Sequence, residues 1–306
     1  MNTIKLKLIM KKTIFVSSFL FTMAATAQDN MFVVYSVKGT VSVVDNKVET
    51  KAKIGTILDG NETIKVGAGS FATLICNETK AFSLNKAGSY STASLKDSCK
   101  ISGGSVSSNY MKYVWSEMTK SKGTPEKNRK NFMANVGAVS RGINNVWIDP
   151  KLDTINYVSG AVPLSWKSYT DAEEFEFKLY DDTKSSTLWS KTVKKKHIDI
   201  SELLKTIQPG KSYHWTAMIK GEPDNDDKKV LHYATKDEYN NFYSHIKNNG
   251  AAETEAEKNF RLGFILEENH YLGEAFTHYM KATQLDPTNS LYRFTFMSFK
   301  KDYEIK

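Results

Sequence analysis

Between Ala256 and Asn289, 34 residues carry a spacing that suits a tight pair of antiparallel helices. Small residues at Gly263, Ala275 and Ala282 let two backbones approach, while Leu262, Leu266 and Tyr279 fill the seam. Pro287 then stops the second helix, because proline has no amide hydrogen to continue the ladder. Gly263 and Ala275 are expected to face each other across the hairpin. One such unit cannot bury both its faces, so it demands neighbours. Two flanking stripes offer them. Tyr239, Phe242, Tyr243 and Ile246 fall at helical spacing before the hairpin, closed by Asn248-Asn249-Gly250, and Tyr292, Phe296, Phe299 and Tyr303 follow it.

The set Leu262, Gly263, Leu266, Ala275, Tyr279, Ala282 and Pro287 resembles the tetratricopeptide repeat over the whole motif. Asn259, with Phe260 beside it, stands where the family usually has an aromatic. The resemblance implies a protein-docking helical bundle over residues 236–306.

Ahead of the helices the apolar period is two. In residues 28–110, Val41 and Val43 alternate with polar neighbours, as do Ala72, Leu74 and Cys76, then Phe82 and Leu84, with glycines breaking the runs. The order Val37-Lys38-Gly39, then Gly55, Leu58 and Gly60, then Ile64, Gly67, Ser70, Ala72 and Leu74 resembles the FecR periplasmic domain. FecR-type proteins carry a cytoplasmic regulator segment and a membrane helix first, and this chain does not show that arrangement, so only an envelope β-module is implied. Cys76 and Cys99 are the two cysteines. In an oxidising compartment a bond between them would contribute about 3 kcal/mol. Two buried free thiols are the other reading, since Cys76 lies on an apolar face.

Residues 111–150 read as a solvated basic linker, with Lys112, Lys120, Lys122, Lys127, Arg129, Lys130 and Arg141 outnumbering the acids and Gly123-Thr124-Pro125 interrupting any helix. From 151 to 235 alternation returns in Val162, Leu164 and Trp166, in Phe175, Phe177 and Leu179, and in Tyr213, Trp215, Ala217 and Ile219. Val162-Pro163-Leu164-Ser165-Trp166 with Leu204, Pro209-Gly210 and Tyr213 resembles a fibronectin type III or related immunoglobulin-like sandwich. That resemblance implies Trp166 in the core and Tyr213 in a corner hydrogen bond. Trp166, Trp189 and Trp215 have a second reading, as a sugar-binding platform.

The first 27 residues read as a signal peptide: Lys11-Lys12, an apolar run from Ile14 to Met23, then Ala25-Thr26-Ala27. The run is shorter than the roughly 20 residues a membrane-spanning helix needs. Cleavage before Gln28 is expected, with Met1 or Met10 as initiator, leaving no membrane span. Losing Lys5, Lys7, Lys11 and Lys12 lowers the formal charge from +8 to +4, a weak basis for a nucleic-acid partner.

Catalytic patterns are sparse. The six histidines, His197, His214, His232, His245, His270 and His278, show no HExxH pairing, and Gly137 to Gly142 does not match a nucleotide loop. The acidic run from Glu222 to Asp227 lacks an EF-hand's glycine and final glutamate and reads as a hairpin tip. No cofactor or metal is implied. The expected fold is therefore multidomain β plus α: an N-terminal β-domain, a β-sandwich and a C-terminal helical bundle. The expected function is a non-catalytic, exported scaffold of a bacterial envelope that binds an unidentified envelope protein, with a carbohydrate- or peptidoglycan-binding module as the alternative.

Overall fold

Strand Phe32–Lys38 explains how the β and α parts come together, because its five leading residues are all buried. Alternation sends Phe32 and Val34 to one side and Val33 and Tyr35 to the other, so a strand buried throughout must be packed on both faces. The computed structural model describes residues 32–76, 80–99, 108–119, 129, 145–149, 152–248 and 252–305. The signal-peptide expectation for 1–27, the cleavage point before Gln28 and the Gly137 to Gly142 stretch lie outside the described residues.

Eight strands build the N-terminal β-domain: β1 (Phe32–Lys38), β2 (Val41–Asp45), β3 (Val48–Lys51), β4 (Ile57–Leu58), β5 (Thr63–Val66), β6 (Phe71–Cys76), β7 (Lys80–Leu84) and β8 (Gly88–Ser91). They form two antiparallel sheets, ordered β4-β1-β6-β7 and β3-β2-β5-β8. Phe32, Val34, Val41, Val43, Ile64, Ala72 and Leu74 fill the space between them. Cys76, at the end of β6, is bonded to Cys99 with 6.1 Å between their Cα atoms. The disulfide closes the domain behind the short helix α1 (Thr92–Leu95).

The second β region comprises β9 (Val146–Trp147), β10 (Thr154–Tyr157), β11 (Pro163–Ser165), β12 (Lys167–Ser168), β13 (Phe175–Tyr180), β14 (Thr187–Val193), β15 (His197–Asp199), β16 (Lys211–Ile219) and β17 (Lys229–Tyr233). One sheet runs β10-β17-β16-β13-β14, with β10 parallel to β17 and the other pairs antiparallel. The pairs β11-β15 and β12-β9 complete it. Trp166 packs edge-on to Phe175, and Phe177 stacks on Trp215 at 5.7 Å. The Tyr213 hydroxyl accepts the Gln208 amide hydrogen at 2.9 Å. The acidic tip is organised by Asn225, which is buried, donates to the Ala217 carbonyl and accepts from the Asp227 amide.

Where a solvated linker was expected from 111, the structure has helix α2 (Ser108–Thr119), with Tyr110, Met111, Tyr113, Val114 and Trp115 buried. The lysine-rich composition of the whole stretch concealed an apolar face repeating at helical spacing, Tyr110 with Val114 and Met111 with Trp115. Arg129, counted among the basic linker residues, is wholly buried.

Four helices close the chain: α3 (Lys236–Ile246), α4 (Glu255–Glu268), α5 (Leu272–Leu285) and α6 (Ser290–Asp302). Capping boxes start α3 at Thr235 with Glu238 and α4 at Thr254 with Glu257, satisfying amide hydrogens that have no partner within the helix. The Asn289 side chain caps α6 by accepting from the Leu291 and Tyr292 amides. Residues of the second β region, of α2 and of the C-terminal helices form one core with Val33, Tyr35 and Ile75 of the β-domain, and Met31–Lys306 is one compact unit.

Candidate interaction surface

The hairpin residues singled out by spacing meet in α4 and α5. Leu262, Leu266, Ala275, Tyr279 and Ala282 are buried, while Pro287 is exposed just beyond the end of α5 at Leu285. The partner of Gly263 differs from the expectation: a Cβ there would lie 2.7 Å from the Tyr279 ring, so the ring, not Ala275, occupies the space the glycine vacates. The Tyr279 hydroxyl donates to Glu267 at 2.8 Å, which fixes the ring against the α4 backbone.

A docking groove along this hairpin needs one free face of α4, and α4 has none. Ala256, Glu257 and residues 259–267 are all buried. Helix α2 covers one side, with Tyr113 stacked on Phe264 at 5.2 Å and Tyr110 edge-on to the same ring at 5.5 Å. From α6, Tyr292 lies 4.5 Å from the Phe260 ring centre. The β-domain reaches the helix start, where the Ser36 hydroxyl donates to Glu257 at 2.7 Å and the Thr73 hydroxyl donates to the Ala252 carbonyl at 2.7 Å. Burial raises the Glu257 carboxyl above its ordinary range. Arg261 ties α4 to its predecessor through Glu253 and the Ile246 carbonyl. Asn259, at the position where an aromatic was noted as missing, accepts a hydrogen bond from His278 Nδ1 at 2.9 Å. Burial, with Lys281, Arg261 and Lys258 nearby, depresses the His278 imidazole to about 4.

The second β region is joined to the hairpin as closely. Backbone and side-chain nitrogens of Asn156 donate to the His270 and Asn269 carbonyls. At Gly273 a Cβ would stand 2.5 Å from the Ser159 carbonyl oxygen, a separation that excludes any side chain there.

Among the described residues, the outer face of α6 is open. Phe294 is 46% exposed and Met297 65%, and they stand three residues apart on one face, with Leu285 of α5 at 48%. Beside them a cleft of about 490 Å³ runs between α6, α2 and the turn before β4, lined by Ile54, Val114, Met118, Leu291, Tyr292 and Phe294 together with the polar Glu117, Thr288, Asn289 and Ser290. Arg293 and Lys301 are exposed on α6. Side chains of this type, apolar in the middle with charge at the margin, suit a protein partner.

The tryptophans offer less surface. Trp166 and Trp215 are buried, and Trp189 is half-buried with its ring edge-on to Phe177 at 5.8 Å. Among the described residues no group of three or more His, Cys, Asp or Glu side chains is placed to hold a metal ion. Among them, too, no helix is long and apolar enough to cross a membrane. Spacing alone did not single out α2 or Arg129. The i, i+4 pairs in α2 were the available signal, and Arg129 left none. The chain matches no family model, and a search of curated proteins returned no match.

Proposed function

We propose that this protein is a non-catalytic, exported envelope scaffold that captures a protein partner on its C-terminal helices. The observation that carries the reading is the solvent-facing row Phe294 and Met297 beside a cleft of mixed lining, on a helix whose other side is locked into the core. Helical repeats of the tetratricopeptide kind dock partners on such faces, and the buried set from Leu262 to Ala282 supports that resemblance. The strand order β10-β17-β16-β13-β14, its parallel first pair and the Tyr213 hydrogen bond support the fibronectin type III or immunoglobulin-like resemblance of the sandwich. The FecR-like reading of the β-domain and export rest on sequence pattern, and a Cys76–Cys99 bond suits an oxidising compartment. The glycan-binding alternative draws less support, because the tryptophans it needs pack inward.

Affinity capture from envelope extracts tests this, using the mature chain and a Phe294→Asp, Met297→Asp double variant. Capture by the mature chain that the double variant loses is the expected result. Equal capture by both, or capture abolished by Trp189→Ala in a folded protein, would overturn it.

A further inference from the structure

At the buried flank of α6, two carboxylates and a hydroxyl converge on one buried cation. Arg129 donates from Nη1 to Glu267 and from Nη2 to Asp302, and Nη2 also donates to the Ser298 hydroxyl at 3.0 Å. The side chains of Arg129 and Glu267 are fully buried and that of Asp302 is 6% exposed. Glu267 is held in turn by the Tyr279 hydroxyl on its other oxygen. Each carboxylate is therefore oriented from a different helix, Glu267 from α4 and Asp302 from α6, before the arginine is considered.

Two buried carboxylates side by side are costly unless a cation joins them. The arrangement discriminates between cations. Two terminal nitrogens of one planar group serve two acceptors on separate helices, and one of them serves a third. An ammonium is a compact point charge and does not present donors in that fork. We infer that Glu267, Asp302 and Ser298 form a guanidinium receptor, a binding site selective for the arginine head group, which Arg129 fills from within the chain. The site adds a polar tie between Glu267 of α4 and Asp302 and Ser298 of α6 to the ring contacts Phe260–Tyr292 and Tyr279–Phe299 that already join the hairpin to the terminal helix.

Chemical rescue tests it in the full chain. Arg129→Ala should lower the melting temperature. Methylguanidinium at up to about 10 mM should then restore about half of that loss or more in a saturable manner, because a ligand that binds only the folded state stabilises it. Methylammonium at the same ionic strength should not, Arg129→Lys should stay close to Arg129→Ala, and an added Glu267→Gln should abolish the rescue. Should Arg129→Ala be recovered only unfolded, the readout becomes refolding yield with and without methylguanidinium. Equal effects of the two cations, an equal shift in the unsubstituted protein, or no gain in stability or yield would overturn the inference.

Discussion

Helices α4 and α6 share a periodicity and differ in fate. Both carry aromatic side chains at helical spacing, and both contribute to the same core. Yet α4 is wrapped by α2, α5, α6 and the β-domain, while α6 keeps Phe294 and Met297 in solvent. The difference shows that an apolar stripe marks a helix that needs a neighbour without saying whether the same chain supplies it. For α4 the supply is internal, and α6 leaves one face uncovered among the described residues.

If α4 is the structural axis, substitutions there should be felt by the whole molecule. Phe264→Ala removes a fully buried ring that two tyrosines of α2 pack against, and it should cost about 3–5 kcal/mol in urea denaturation. A loss under about 1 kcal/mol would show that α2 is not held as described. Gly263→Leu drives a side chain into the Tyr279 ring, whose hydroxyl is anchored to Glu267, and should cost about 1–3 kcal/mol. Because the second β region and the helices share one core, the variant should melt in a single earlier transition followed equally by tryptophan fluorescence and helical circular dichroism. Two separated transitions would restore the picture of independent modules.

His278 sharpens the comparison through pH. Its folded value, about 4, lies below the ordinary imidazole value of 6.5, so acid protonates the unfolded chain first. The stability it contributes is full above 6.5 and is lost as pH falls toward 4. Relative to His278→Gln, the unsubstituted protein should lose on the order of 2 kcal/mol over that interval. Parallel pH profiles for the two would remove His278 from the account. The smallest effect belongs to α6: the Phe294→Asp, Met297→Asp pair should change stability by no more than about 0.5 kcal/mol per site, as exposed positions do. A large loss would mean this face is already covered.

Much of the architecture was legible in the chain. Alternation at Phe175, Phe177 and Leu179 marked strands, and the stripe from Tyr239 to Ile246 marked a helix, because those periods follow from the geometry of a single element. The seam residues Leu262, Leu266 and Tyr279 were readable for the same reason, as partners in a local hairpin. Other assignments depend on pairs distant in sequence. Tyr113 is core because Phe264 and Thr295 meet it, and Arg129 is buried because Glu267 and Asp302 come together around it. No local period encodes such meetings. The residues at 32–35 belong with the second group: they are buried on both faces of a strand, and only the packed chain decided that the second face would be covered by helices.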